Sequence, residues 1–524
     1  MGIQSFSPTG ANGINTDIPP AELPPGFWTR GHNVQFQDGS VTPCPGDVPL
    51  HTEAGIGINW GIASTSLSDG SACWLLGGAT RLYMYRMGTI TDITRAVGGG
   101  YTLPANTRWN GGYLGSVVVV NNFNDVPQAW LQADPGVKVV PLANWPANLK
   151  ARVLRSFKSY LLALGIVQDG QRRPTTIRWS HPADPGAVPS SWDIADPTKD
   201  AGEYPLSGTP GDLVDCLELG DINIIYKEDS VWGMQHIGGM YIFRFWPIFK
   251  NWGMRNPNCV AEIPPRRHIV FTGQDLVVHD GQTYQSIASG RVLSLINSLS
   301  VRQLAACYVT TNVEEKEAWL CYRSVDSNGL EADRALAWNW ETGTFSTRDL
   351  ANYSFVIGGS ITPPAENAQT WANVVGTWDT LTQAWGIPKL VRNRFMLLGM
   401  HPNGINLIGN SKLSPVPSLL ERDKLGIVMR STQPPDMTSK KKLLRLWPRI
   451  TGRAGDVVRI SIGVADGVNE VTEWLPPEDF ILGTDEYIDP LVTGKLFGLR
   501  LESVNTMPWK FSGTDVEAVY VGAG

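Results

Sequence analysis

The sequence predicts an all-β fold: a β-propeller of six or seven irregular blades, with an additional antiparallel β-sheet or sandwich from the C-terminal part and an N-terminal hairpin. Three observations predict it. One small pattern recurs along the chain: an apolar strand, a polar turn, an aromatic-bearing strand, then a Gly-marked turn into a third strand. Gly and Pro are both frequent, 55 and 37 of 524 residues, as many tight turns require. Residues 440–524 alternate apolar and polar over longer strands, the mark of sheets with one covered face.

Residues 1–54 read as a polar, Pro-rich arm with one clear hairpin, expected to pack with the C-terminal domain. Asn33-Val-Gln-Phe, Gln37-Asp-Gly-Ser and Val41-Thr-Pro-Cys-Pro put Asp-Gly at the turn between two apolar-bearing strands.

The repeats fill residues 55–412. Trp74-Leu-Leu-Gly-Gly leads through Ala79-Thr-Arg to Leu82-Tyr-Met-Tyr-Arg. Ile224-Ile-Tyr-Lys leads through Glu228-Asp-Ser to Val231-Trp-Gly-Met-Gln, and Ile269-Val-Phe-Thr through Gly273-Gln-Asp to Leu276-Val-Val-His-Asp. Weaker copies start near Ser116, Tyr160, Trp319 and Phe395. Most successive starts are roughly 42–50 residues apart, which matches four-stranded propeller blades. Two longer intervals read as blades carrying insertions, at 172–203 and 361–389. One such unit cannot bury its own faces, so the units must stack. No WD dipeptide recurs at a fixed blade position, and Ser68-Asp-Gly-Ser-Ala-Cys-Trp lacks the spacing of a sialidase Asp-box. An irregular multi-sheet β protein is the competing architecture.

Helix is scarce, with candidates at 293–307 and 418–424. Residues 413–524 read as a separate antiparallel β domain with strands near 443–450, 456–464, 496–503 and 516–521. It is a candidate platform or channel lining.

The formal net charge is −6, and a protein that grips nucleic acid by its phosphates is expected to be basic. Six cysteines without a CxxC pair read as buried free thiols of a protein made in a reducing cytosol. Met1-Gly-Ile-Gln-Ser-Phe-Ser-Pro has neither a basic nor an apolar segment, so no secretory leader is expected. The apolar runs near Val117 and Leu161 are far too short for a membrane helix, so no membrane anchor is expected.

No motif for catalysis, cofactor or metal emerges, so the chain is read as a non-enzyme without cofactors. The seven histidines show no zinc-ligand spacing. No Gly-x-Ser-x-Gly or P-loop is present. Glu478-Asp479 and Asp485-Glu486 fit a glycosidase pair or a calcium site on paper, but both fall in a polar loop beside Pro476-Pro477 and read as a solvated turn. His279-Asp280 reads as a polar cap on a strand end. Lys440, Lys441 and Lys442, with Arg445, Arg449 and Arg453, form the densest positive patch. It is either a partner contact or a strand edge protected by lysines, with Lys442, Leu444 and Leu446 on one face. Among twenty tryptophans, Trp192, Trp378 and Trp385 in the two insertions are candidate exposed anchors for a partner.

Three stretches resemble the tail nozzle, or tail hub, proteins of short-tailed bacteriophages, including those known as packaged-DNA stabilisation proteins. They are Asn33-Val-Gln-Phe-Gln-Asp-Gly-Ser-Val-Thr-Pro-Cys-Pro-Gly, the segment from Ile177-Arg-Trp-Ser to Ile242-Phe-Arg-Phe, and Thr377-Trp-Asp-Thr-Leu with Ala384-Trp. The middle segment includes Leu217-Glu-Leu-Gly-Asp and Ile224-Ile-Tyr-Lys-Glu-Asp-Ser-Val-Trp-Gly-Met and carries the strongest likeness. Together they span most of residues 30–390; the C-terminal part has no counterpart in the resemblance. The resemblance implies a homohexameric ring below a portal-adaptor ring. Such a ring closes the channel after packaging, conducts double-stranded DNA at ejection without sequence-specific binding, and anchors fibres, spikes or a plug. It implies a virion protein made in the host cytoplasm. The acidic balance agrees, since an acidic lumen lets phosphates slide. The alternative is a glycan-binding or glycan-cleaving propeller, which needs positions such as Asp69, Asp275 and Asp333 to converge with an Arg. A cellular repeat scaffold fits less well, because the repeats are irregular.

Overall fold

The computed structural model describes every residue except 1, 8, 69, 105, 240, 326, 328–330, 362–393, 412–414, 428–436 and 524. Among the described residues it is nearly all-β. Six four-stranded antiparallel sheets follow the repeats, and a seventh set of four strands opens a longer sheet. These are propeller blades: short antiparallel meanders repeated at blade spacing. The repeat starts read from sequence fall in, or one residue before, the second strands. Those are Ala72–Gly77, Val117–Asn121, Tyr160–Gln168, Ile222–Lys227, Arg267–Phe271, Glu317–Tyr322 and Arg394–His401. The reason is burial. A second strand is paired on both edges and covered on both faces, so Val117–Asn121 and Glu317–Tyr322 are buried at every position.

The chain divides into two compact units, one of Met1–Val48, Thr209–Tyr353 and Leu407–Gly524, the other of Pro49–Gly208 and Ser354–Asn406. In the second unit, adjacent blades are tied by buried polar links. Asn121 Nδ2 donates to Ala151 O at 3.0 Å, and Trp74 Nε1 donates to Ser360 O at 3.0 Å. One apolar cluster of this unit contains Val117, Val119, Leu161, Ile166 and Trp192. A further blade, Phe355–Ile361, Arg394–His401 and Gly404–Ser411, takes its last strand, Gly46–Thr52, from before the first repeat.

The first unit holds three blades and two larger sheets. The last blade strand, Phe345–Tyr353, pairs in parallel with Arg30–His32. That strand passes the sheet on to Leu419–Leu425, Leu496–Ser503 and Val457–Ala465. The other sheet joins Val34–Gln37, Ser40–Pro43, Trp509–Ala523, Ser439–Gly452 and Val492–Gly494, with Gly2–Phe6 added along Trp509–Ala523. The Asp-Gly hairpin is present: Asp38 and Gly39 both have positive φ, 50° and 70°. N-terminal and C-terminal strands therefore share both sheets.

Three sequence expectations change. The helix at 418–424 is the strand Leu419–Leu425; pairing on both edges overrides its Leu-Glu-Arg-Asp-Lys helix propensity. The helix at 293–307 is two short helices, Leu293–Ser298 and Val301–Leu304. Leu299 is extended between them, and Ser300 opens the second with a capping box to Gln303. The insertion at 172–203 is shorter, because Gln171–Trp179 and Gly202–Pro205 are the blade's own third and fourth strands. The insertion at 361–389 lies almost wholly outside the described residues.

High Gly and high Trp have a shared cause. Gly233 lies opposite Trp246, and a Cβ on Gly233 would sit 2.5 Å from the indole ring. Gly498 and Gly463 lie in the same way under Trp474. A large ring lies flat across a strand where the facing residue has no side chain.

Candidate functional site

The predicted cationic patch is not a free positive surface. Lys440 Nζ lies 2.7 Å from Asp466, Arg445 Nε lies 2.8 Å from Asp489, and Arg449 and Arg459 each lie 3.1 Å from Asp515 and Asp479. Arg445 also stacks on Tyr487, 3.9 Å from the ring centre. Of the predicted patch, Lys440, Arg445 and Arg449 each meet an aspartate from another strand or loop, as does the nearby Arg459, so the charge of these four is largely offset.

The expected face of Lys442, Leu444 and Leu446 is also corrected. Lys441, Leu443 and Leu446 are the buried side chains, while Lys442 and Leu444 are half-buried. A β-bulge between Leu443 and Arg445 adds one residue and resets the alternation. Lys441 is fully buried, and its Nζ donates to Ser439 O at 3.2 Å. It is not an edge lysine.

Trp192, expected as an exposed anchor, is 1% exposed. It packs edge-on against Trp145 with ring centres 4.8 Å apart. An indole in a loop beside a blade gains more by completing the core than by meeting solvent. Trp378 and Trp385 lie outside the described residues.

The structure brings together groups that sequence reading left apart. In the first unit a buried polar chain links two blades. Tyr226, on Ile222–Lys227, places its hydroxyl 2.7 Å from both His268 Nδ1 and His279 Nε2. His268 Nε2 faces Glu218 O at 3.0 Å and must donate to it. His279 Nδ1 accepts from Gly281 N, so its proton is on Nε2. The chain therefore runs His279 N–H to Tyr226 O, Tyr226 O–H to His268 Nδ1, and His268 N–H to Glu218 O. Burial pushes His268 down to about 4; burial and the neighbouring His268 push His279 down to about 3. Both rings are neutral at pH 7. His279, expected as a polar strand cap, serves a structural bond, and Asp280 closes the adjacent turn on Thr283.

The neighbouring Lys227 is also buried, and its Nζ donates to Thr209 O at 2.5 Å. Trp232 Nε1 donates to the Thr209 hydroxyl at 2.8 Å. Tyr226, Lys227 and Trp232 of the Ile224–Met234 stretch thus all anchor the blade's interior.

A second buried cluster lies where the sixth blade meets the segment around Pro45. Arg348 is 2% exposed, donates to Pro45 O at 3.0 Å, lies 3.3 Å from Asp47, and sits 4.8 Å from the Trp319 ring centre. Asp47 also accepts from Tyr353 at 2.6 Å. Glu317 accepts from Trp319 Nε1 at 2.8 Å, and its complete burial raises it to about 7. Cys44 is held as a thiol by burial, pushed up to about 12. Three chain segments meet here, so nothing in the linear spacing marks the cluster.

The carboxylates needed for a sugar site are occupied locally. Asp275 accepts from Ser286, and Asp333 accepts from Ser324 N and Oγ. Asp69 lies outside the described residues. Among the described residues no group of three His, Cys, Asp or Glu is arranged to hold a metal ion. No helix of the described residues is long and apolar enough to cross a membrane.

The largely apolar recess of the first unit lies between its two larger sheets, with a volume of about 240 Å³. Phe6, Trp28, Leu446, Ile462, Phe497 and Phe511 line it together with Arg422.

No protein-family model and no curated protein sequence matches the chain. Among solved structures it is similar to YCF48 bound to a D1 peptide, at 10% identity and a TM-score of 0.38 over 69% of this chain and 94% of that one. It is also similar to YCF48 from Cyanidioschyzon merolae, at 10% identity and a TM-score of 0.28 over 53% and 96%. A third likeness is to PorZ, a surface component of the type-IX secretion system of Porphyromonas gingivalis, at 9% identity and a TM-score of 0.34 over 72% and 42%. Similarity at this level carries no functional argument; the fold class rests on the sheet topology above.

Proposed function

We propose that this chain is the subunit of a tail nozzle ring of a short-tailed bacteriophage: a virion protein without catalytic activity, made in the host cytoplasm. In this reading six copies form a ring below a portal-adaptor ring. The ring closes the channel after packaging, conducts double-stranded DNA at ejection, and anchors fibres, spikes or a plug. The observation that carries it is the sequence resemblance, strongest between Ile177 and Phe245.

Two further points support it. The net charge of −6 suits a conduit for a polyanion better than a clamp on it. Lys440, Arg445, Arg449 and Arg459 are each paired with an aspartate and do not make a phosphate-gripping surface.

The test is mass measurement and negative-stain imaging of the purified chain, alone and mixed with portal-adaptor rings of a short-tailed phage that encodes it. A six-fold ring, formed alone or on the adaptor, is the expected result. A chain that stays monomeric beside the adaptor rings overturns the reading.

A further inference from the structure

The two larger sheets of the first unit leave unfilled the recess of about 240 Å³ between them. One sheet supplies Leu446 and Phe511, the other Ile462 and Phe497, and Phe6 and Trp28 complete the wall. An apolar cavity of about 150 Å³ takes up benzene, so this one has room for a single ring or a medium-length alkyl chain.

One wall group does not fit an apolar space. Arg422 is 4% exposed. Its Nη1 donates to Pro20 O at 2.7 Å and to Asp423 O at 2.9 Å, and its Nη2 to Leu23 O at 2.5 Å. All three acceptors are neutral carbonyls. Its Nε is buried and has no acceptor. The Asp423 carboxylate accepts from Thr472 instead. Two other polar groups in the wall are satisfied within the protein: Thr9 donates to Phe511 O, and Thr514 to Trp447 O. The unmet demand is two of the five N–H groups of a buried cation beside apolar space: the Nε–H and the second Nη2–H. Such a group is costly to bury until an anion meets it.

We propose that this recess binds a small amphipathic monocarboxylate, with its carboxylate accepting from Arg422 Nε and its apolar body between the sheets. Volume limits the body, and the two free N–H groups, Nε–H and one Nη2–H, limit the head to the two oxygens of a carboxylate. A phosphate monoester has three strong acceptors and calls for more donors than these two. This inference stands independently of the nozzle reading, since it concerns one chain and not a ring.

The test is calorimetric titration of the full chain with octanoate, octan-1-ol and acetate at pH 7. Octanoate is expected to bind once per chain, about tenfold or more tighter than octan-1-ol, because a charge-assisted hydrogen bond is added to the same apolar burial. Acetate lacks the body and is expected not to bind measurably. Arg422→Gln is expected to erase the preference for octanoate while octan-1-ol still binds. Val516→Phe, which fills the recess, is expected to abolish binding of both. Arg422 also holds the carbonyls of Pro20 and Leu23, so circular dichroism must show each variant folded; if Arg422→Gln is not, Val516→Phe decides. Equal affinity of the wild type for octanoate and octan-1-ol overturns the anion site. Failure of octanoate to bind, or its undiminished binding to folded Val516→Phe, overturns the proposal.

Discussion

Replacing Tyr226 by Phe removes one oxygen and should loosen two blades. The hydroxyl lies 2.7 Å from both imidazoles, and Tyr226 and His268 are 0% exposed, with His279 at 2%. Without it, the His279 Nε2–H and the His268 Nδ1 lone pair lose their partner where water does not reach. Each orphaned buried group costs about 1–3 kcal/mol, and partial relaxation of the rings sets the expected total at about 2–4 kcal/mol. Since 1.4 kcal/mol is tenfold in an equilibrium, local opening should rise about 30- to 1000-fold. A chain of this size need not unfold in two states, so a global melt is the wrong measure. Native-state hydrogen exchange read by mass spectrometry resolves it. Peptides covering Ile222–Lys227 and Leu276–His279 should lose protection by that factor. Peptides from Tyr160–Gln168, in the other compact unit, should not change. A loss of under about threefold at the blade peptides, or an equal loss at the control, would refute the linking role.

Acid should act on the same chain. His268 and His279 stay neutral in the fold to about 4 and about 3, whereas the unfolded chain takes up protons near 6.5. Their contribution is complete above pH 6.5 and is lost as pH falls towards 4, by about 3 kcal/mol per ring; exchange at those peptides that stays flat from pH 7 to 4.5, after correction for intrinsic rates, would count against it. Glu317 behaves oppositely. Its folded value of about 7 lies above its unfolded value, so it favours folding fully below about pH 4.5 and loses that as pH rises to 7. Glu317→Gln keeps an acceptor for Trp319 and should stabilise by about 2–3 kcal/mol at pH 8 with little effect at pH 4.5, measured by denaturant midpoints. Gly233→Val forces a branched side chain against Trp246 and should cost about 1–3 kcal/mol, seen as a lower melting temperature. Lys440→Ala and Arg445→Ala break exposed pairs and should leave the melting temperature nearly unchanged.

Much of the architecture was legible in the residues. The repeat starts mark second strands because that strand is covered on every side and must be apolar throughout, as at Val117–Asn121. The Asp-Gly hairpin was legible because its turn tolerates positive φ at both central positions. The site was less legible. Trp192 has the composition of an anchor and the position of a core residue; only packing against Trp145 separates the two. Lys441 and Lys442 look alike in sequence, and a bulge decides which is buried. Leu419–Leu425 reads as helix until strands on both sides claim its hydrogen bonds.

By itself the sequence determined the fold class, the blade period and the absence of a recognisable catalytic spacing. Those properties are written in neighbouring residues, through alternation, turn chemistry and strand burial. The tertiary structure alone decided which polar groups meet. Tyr226 finds His268 and His279, Arg348 finds Asp47, and Arg422 is left with two N–H groups unfilled beside an apolar recess. Such meetings depend on segments distant in the chain being held together, and on low-dielectric surroundings that make each satisfied or unsatisfied bond count.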